Sequence, residues 1–542
     1  MRFLWLDINS SYSHSSLAIP SLDAQLDNPL RDQSEWKIVS GTLLASPAKI
    51  ILQILKEQPD VIFSTIWLFN SIYVLSILKQ IEVLLPNIKI ILGGPEFLGD
   101  NRLFLSENKH IHAVFRGDGE EQFPVLVSNL IHSEPLSAIN GICQILGNNY
   151  HDNGKAVVSN LSKLKIPEQS SLFGFNKPFV QIETSRGCFN TCRFCVSGCN
   201  EKVSYINYES LRERLQYLVE KGITGIRILD RTFNANTNHA INILSVIKDF
   251  AGLLKFHIEV HPAFISDKLK RKLESIPSNL IHIEIGIQSL DDEVLKTVGR
   301  KGDAQKSLDG LIYLKGLKTF EIHADLIAGL PGYSLGKLYD DFTTLVKTGV
   351  DEIQIETLKV LPGTEFRYNN ILYKLKFSPI PPYEVLENDS MSFEELLSAG
   401  TLSRASDLWY NDFRWKSVFA LLINKEDQFL QDFIYYLSKQ NIQQLSPEKC
   451  GLILFDFCSK YFQNYLTYVA NSWLLAGFSV HKKPGKLARK WEKGYSGIHF
   501  PFIDSDFTHL SYYYIDSKHI TYWYSFDKHS KTLVNNTSLR KP

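Results

Sequence analysis

Four cysteines fall within seventeen residues, "ETSRGCFNTCRFCVSGC" at 183–199, of a chain that holds only seven. Cys188, Cys192 and Cys195 have the spacing C-x3-C-x2-C, and Cys199 follows close behind. Thiols grouped in this way can form a disulfide framework, a zinc site, a redox pair or an iron–sulfur cluster. Structural zinc takes four ligands, usually as two separated pairs, and no second C-x2-C pair occurs. A thioredoxin-type pair at Cys192 and Cys195 leaves Cys188 without a role. Three thiolates in one loop suit a [4Fe–4S] cluster with its fourth iron open to another ligand. Zinc stays open on spacing alone, and Cys199 reads as a plain loop residue.

That loop needs a scaffold, and two α/β series offer one. Over residues 1–131, "RFLWLDI", "WKIVS", "DVIFST", "IKIILGG" and "HAVFRG" read as strands, with amphipathic helices at "PAKIILQILKEQ" and "NSIYVLSILKQIEVLL". Strands this apolar imply a parallel sheet covered on both faces. Weaker strands at "GICQIL" and "KAVVSN" lead into a polar, proline-marked linker. The alternation restarts with "FVQIET" just before the cysteines, then "GIRILD", "KFHIEV", "IHIEIGI", "FEIHADL" and "EIQIETL". Helices are predicted near 207–221, 237–253, 266–275, 290–316 and 334–348. Six strands make a partial, TIM-like (β/α)6 barrel, whose active site lies beyond the carboxyl ends of the strands. The cysteine loop follows the first of them.

The predicted domains are therefore a doubly wound, Rossmann-like α/β sheet over 1–150, a linker over 151–178, the barrel over 179–375 and a carboxy-terminal mostly helical or mixed domain over 376–542. The last begins after "SPIPPYE", is helical over 391–475 and ends in short strands whose aromatics, as in "YYYIDSKHITYWYSF", read as core packing. Hydrophobic residues are 44% and charged residues 21% of the 542, the balance of a soluble globular protein. Net charge is zero, which provides no field for nucleic acid or an anionic membrane. No run reaches the ~20 apolar residues of a membrane span, and the start reads as a strand, so the expected location is cytoplasmic. In the basic stretch Lys482, Lys483, Lys486, Arg489, Lys490 and Lys493 read as a solvated linker, and Cys450 and Cys458 as buried hydrophobes.

"GCFNTCRFC", including Phe194 before the third cysteine, resembles the signature of the radical S-adenosylmethionine (SAM) enzymes. The resemblance implies that Cys188, Cys192 and Cys195 ligate three irons and that SAM chelates the fourth. Reductive cleavage then yields a 5′-deoxyadenosyl radical, the electron coming from a donor such as flavodoxin or ferredoxin. It also implies SAM contacts at later strand ends. Asp230 in "ILDRTFNAN" stands where the family has Gly-Gly-Glu near the SAM amino group. Glu259 is placed to accept from the ribose hydroxyls. Gln288 and Ser289 face SAM, and Arg300 its carboxylate. "GLPG" at 329–332 lets the backbone approach the adenine.

A sheet domain ahead of such a barrel has two precedents. RNA methylthiotransferases carry a second cysteine trio there, but residues 1–180 contain only Cys143. The other precedent is a cobalamin-binding domain. Gly93, Gly94 and Pro95 end one strand, and Gly117 and Gly119 end the next before a helix, as a nucleotide tail or phosphate requires. Ser64, Thr65 and Trp67 end a third, facing a corrin ring, and a doubly wound sheet gathers all of these on one edge. The D-x-H-x-x-G motif that supplies an axial histidine is absent, so His14 reads as a loop residue. A doubly wound domain without cofactor is the alternative.

Residues 1–375 thus resemble a cobalamin-dependent radical SAM enzyme, and the remainder a domain of unknown function attached to such proteins. The activity implied is methylation of an unactivated carbon of a small-molecule or metabolite substrate, with methylcobalamin lying between the two α/β domains. Two other readings are a cobalamin-bound radical SAM enzyme catalysing cyclisation or rearrangement, and an iron–sulfur and cobalamin sensor of redox state or light.

Overall fold

The computed structural model describes residues 1–13, 16–197, 202–492, 509–517 and 520–540; His14, Cys199 and Lys493 lie outside these. The apolar runs at the start form β1 (Arg2–Asn9), β2 (Glu35–Thr42), β3 (Val61–Thr65), β4 (Lys89–Gly93) and β5 (Ala113–Phe115). They pair in parallel in the order β2-β1-β3-β4-β5. Two antiparallel strands, β6 (Ile142–Leu146) and β7 (Asn149–Asp152), complete the sheet. "KAVVSN" is not a strand. It contributes one bridge, Gly117 to Ala156, and the hairpin partner of β6 is the polar segment just before it.

Side-chain alternation explains why the sheet is covered on both faces. Leu4, Leu6, Ile62, Ile90 and Leu92 join a core with Ile50 and Ile54 of helix Pro47–Glu57 and Val74, Ile77 and Ile81 of helix Ser71–Leu84. Phe3, Trp5, Val61, Phe63 and Ile91 point the other way, onto Phe123, Leu126 and Leu130 of helix Phe123–His132. The chain order reverses between β1 and β3, so a crevice opens at their carboxyl ends.

The second sheet has six strands in chain order: Val180–Ile182, Gly225–Ile228, Lys255–Val260, Ile281–Gln288, Glu321–Ala328 and Glu352–Thr357. The first four pair in parallel. Their inward and outward faces differ: Ile281, Ile283, Ile285 and Ile287 are buried under helices, while His282, Glu284 and Gln288 alternate with them.

Two compact units divide the chain. One is Met1–Ile322 with Gly329–Tyr333 and Thr357–Ser392, and the other is His323–Ala328 and Ser334–Glu356 with Phe393–Pro542. In the second, helices Phe393–Ala405, Lys416–Lys425, Phe429–Ser438, Pro447–Tyr461 and Leu466–Leu475 pack around Trp409, Phe419, Phe433 and Phe457. Ser406 Oγ and Tyr410 OH donate to the main chain of Ile353 and Val350, each at 2.7 Å. Cys450 and Cys458 are buried there, where burial pushes their thiols up to about 11 and about 12. An antiparallel sheet (Arg489–Trp491, Leu510–Asp516, Ile520–Asp527, Leu533–Arg540) follows, with Tyr512, Tyr514 and Trp523 packed on it. Of the basic stretch expected as a solvated linker, Lys482 and Lys483 pair with Glu448 and Asp456 at 2.6 and 2.9 Å, and Arg489 and Lys490 lie in the first strand of that sheet. No described helix is long and apolar enough to cross a membrane.

Candidate active site

The cysteine loop leaves the first barrel strand at Thr184 and Ser185, and Asp230 holds that exit. Its carboxylate, fully buried, accepts from the main-chain N–H groups of Thr184 (2.7 Å) and Ser185 (2.8 Å) and from the Thr184 hydroxyl. The structure thus gives this carboxylate, expected near the SAM amino group, a structural role. It ties the end of the second strand to the root of the loop. Sequence alone did not distinguish these roles, because both put a carboxylate at the same strand end.

The far side of the loop is fastened to residues 297–301. Arg193 N and Nη1 donate to Val298 O (2.9 Å) and Thr297 O (2.8 Å), and Thr191 Oγ1 donates to Gly299 O (3.0 Å). Lys301 N and Nζ reach Asn190 Oδ1 (3.0 Å) and Phe189 O (2.7 Å). This close approach requires Gly299. Its φ is +71°, and a Cβ would stand 2.6 Å from Thr191 O.

Cys188 and Cys192 are buried and Cys195 half-buried, each within electrostatic reach of the others. Burial pushes the Cys192 thiol up to about 11, against the pull of Arg300, and raises Cys195 against a Ser197 main-chain bond and Arg231. Binding metal displaces such protons. Cys188 Sγ accepts from Asn190 N at 3.4 Å and lies 3.5 Å from Thr232 Oγ1. Among the described residues no three His, Cys, Asp or Glu side chains lie close enough to share one ion, whereas cluster thiolates each serve a different iron.

Phe194 is half-buried in the turn between the second and third cysteines. Arg300 donates through Nη2 to Gly286 O and flanks Cys192. Gln288 ends the fourth strand at φ +69°, a conformation that costs a non-glycine residue and is often kept at functional sites. Its Oε1 is buried without a partner. Ser289 is fully buried, its Oγ accepting from Asp291 N at 3.1 Å. Glu259 lies on the polar face of the third strand, in register with Glu284. His261, just beyond that strand, packs against Phe189 and Phe264, and burial with Arg300 pulls it down to about 3. At Gly329 and Gly332 the main chain is held by Asn388 Nδ2 (2.7 Å) and Ser390 Oγ (2.8 Å).

One cavity of about 370 Å³ gathers all eight residues expected to bind cobalamin: Ser64, Thr65, Trp67, Gly93, Gly94, Pro95, Gly117 and Gly119. The glycines differ in their reasons. Gly94 and Gly117 have φ of +110° and +103°, and a Cβ on either would strike the main chain of Ile66 or Ala156. At Gly93 a Cβ meets only Phe115, at 3.9 Å, so this residue leaves the cavity open. Ser64 Oγ already donates to Leu6 O (2.8 Å), which makes it a strut. One wall is apolar, from Trp5, Phe63, Ile91, Phe115, Phe123 and Leu126.

The other wall is charged and reaches the cysteine loop. Arg186, two residues before Cys188, binds Glu120 (2.7 Å) and Glu183 (2.6 Å) and lies 3.6 Å from Asp118. These residues line the same cavity, as do Gly187, Val196, Ser197 and Arg231. No local pattern announces the clamp, since Glu120 and Arg186 stand 66 residues apart. An open glycine edge and an apolar wall fit the nucleotide portion of a corrinoid, and three clustered thiols beside an arginine fit an open-sited cluster.

A loop of three cysteines beyond the first strand of a partial barrel defines the class, and comparison agrees. Residues 182–345 match the Radical SAM superfamily. Residues 22–127 match the B12 binding domain and residues 372–497 a protein of unknown function, DUF4080. In chain order the protein carries a B12-binding domain, a Radical SAM domain and DUF4080, and the cofactors of the first two are cobalamin, a [4Fe–4S] cluster and SAM. It is 27% identical to an uncharacterized methyltransferase, PH0819, of Pyrococcus horikoshii, over 67% of this chain and 83% of that one. With the cobalamin-dependent radical SAM methyltransferase TokK of Streptomyces tokunonensis it shares 20%, over 68% and 57%. The fold is similar to that of the cobalamin-dependent SAM radical enzyme OxsB, solved with aqua-cobalamin and SAM bound (TM-score 0.59, 16% identity, 88% and 79% covered).

Proposed function

We propose that this chain is a cobalamin-dependent radical SAM methylase acting on an unactivated carbon of a small-molecule substrate. The observation that carries the reading is the single cavity lined both by the predicted corrin contacts and by the segments flanking the cluster cysteines. When bound, the cluster and SAM supply a substrate radical and cobalamin supplies the methyl group. The chain's part is positional. Cys188, Cys192 and Cys195 hold the cluster, and the Asn190 main-chain N–H supports Cys188. Arg300, Gln288, Ser289 and Glu259 surround SAM, while Gly93, Thr65 and Trp67 face the corrin. Asp230 and Gly299 fix the loop between them. An external one-electron donor, such as a flavodoxin or ferredoxin, completes the requirement. Likeness to PH0819 and TokK, both named methyltransferases, supports methyl transfer.

The test is purification without oxygen, with cobalamin supplied, followed by reduction in the presence of CD3-labelled SAM. A methylase binds close to one corrinoid per chain and forms S-adenosylhomocysteine with label on the corrinoid. Replacing all three cluster cysteines by alanine removes iron and leaves the corrinoid in place. Bound corrinoid with 5′-deoxyadenosine as the sole SAM product overturns methyl transfer in favour of rearrangement chemistry. Cofactors bound with no SAM consumed would indicate a sensor.

A further inference from the structure

Arg231 directly follows the Asp230 carboxylate that roots the cysteine loop, and its main chain is held on both sides. Leu229 N donates to Ile182 O at 2.8 Å, Thr232 Oγ1 to Arg231 O at 2.7 Å and Phe233 N to Glu259 O at 2.8 Å. The side chain, by contrast, is exposed, lines the cavity, and has no hydrogen bond or ion pair among the described residues. Its charge acts only on Cys195, favouring the thiolate. The other charged groups on that wall are engaged. Arg186 holds Glu120 and Glu183, Asp118 accepts from Val158 N at 3.2 Å and faces Arg186, and Lys155 acts on Asp118. The clamp sets three carboxylates against one guanidinium, so an anion at this wall is drawn to Arg231 and repelled from the clamp.

Neither cofactor has first claim on this group. Arg300, the arginine expected at the SAM carboxylate, flanks Cys192 and is not part of the cavity lining. The residues expected at the corrin lie at strand ends of the first sheet, whereas Arg231 stands beyond the second barrel strand, where a barrel performs its chemistry. We propose that Arg231 anchors a carboxylate or phosphate group of the substrate, holding it at the cavity wall beside the cysteine loop. A guanidinium on a fixed main chain takes such an oxyanion through two parallel N–H bonds, and a fixed anchor orients the rest of the molecule. The substrate class is then an anionic small molecule. The inference rests on the methylase reading and narrows its substrate.

Phenylglyoxal adds to unpaired guanidinium groups, and peptide mass spectrometry reads which arginines it reaches. The sample is the full chain, loaded without oxygen with cluster, cobalamin and SAM. Arg271, exposed on helix Asp267–Leu273 and away from the cavity lining, is the internal reference. In the loaded chain Arg231 should label at a rate comparable to that of Arg271. One charge-assisted pair half-saturates at about 10 mM, so about 20 mM inorganic phosphate or acetate should slow Arg231 about threefold against chloride of equal ionic strength. Arg271 should be unchanged, and the stronger probe ranks phosphate against carboxylate. Slowing of both arginines alike, or of neither, overturns the proposal. Protection by cobalamin alone or by SAM alone also overturns it, since the arginine then serves that cofactor. Corrinoid per chain is measured on the same sample before labelling. A chain that loads none counts against the methylase reading, while the labelling ratio still decides whether Arg231 is an anion site.

Discussion

Replacing Asp230 separates a structural clamp from a ligand contact. Asp230→Ala removes the acceptor of two main-chain N–H groups and one hydroxyl in a region where Thr184 and Ser185 are themselves buried. Each orphaned buried donor costs about 1–3 kcal/mol, so the substitution should cost about 4 kcal/mol. Asp230→Asn keeps one oxygen for both N–H groups, and the Thr184 hydroxyl can turn to accept from the new amide. Only the charge assistance is lost, about 1–2 kcal/mol. At about 1.3 °C per kcal/mol for the compact unit of about 360 residues that holds Asp230, thermal midpoints should fall by ~5 °C and ~2 °C. Because Asp230 roots the strand that leads to Cys188, iron per chain after reconstitution should follow the same order, wild type then Asn then Ala. Midpoints from scanning fluorimetry and iron by colorimetric assay measure both. Should Asp230→Ala retain the wild-type midpoint and iron content while weakening SAM binding alone, the clamp is refuted and the carboxylate contacts SAM.

Other substitutions probe the remaining parts. Gly93→Val points a branched side chain into open cavity, so the protein should fold normally, keep its iron and lose corrinoid affinity by more than tenfold in an absorbance titration. Gly299→Ala strains a φ of +71° and pushes a methyl group onto Thr191 O; reconstituted iron should drop at least twofold with corrinoid binding retained. For acid stability, His261 titrates at about 3 when folded against 6.5 ordinarily. Below pH 6.5 the unfolded chain therefore binds the extra proton, and the apo-protein should lose stability as pH falls from 6.5 towards 3. His261→Leu should narrow the difference between urea midpoints at pH 5 and pH 7.5; an unchanged difference would show that other groups govern it.

Strand positions were legible because continuous apolar runs such as "RFLWLDI" are long enough to bury both faces. "KAVVSN" misled for the same reason. Its apolar run is strand-like, yet β5 already had its second neighbour in β6, and only Ala156 found a bridge. The cysteine loop and the glycine edges could be read because their chemistry is local in the chain. The Arg186 clamp could not, since it depends on a partner 66 residues away. Asp230 was noticed for its position but not for its hold on the loop, as the spacing that would present a carboxylate to a ligand also presents it to Thr184 and Ser185.

The Arg186 clamp makes one frame of two loops that stand 66 residues apart in the chain. Glu120 belongs to the wall of the cavity, and Arg186 sits at the threshold of the cysteine loop. Arg186→Ala would strip Glu120 and Glu183 of their partner at once, so a single substitution disturbs the cavity wall and the root of the cysteine loop together.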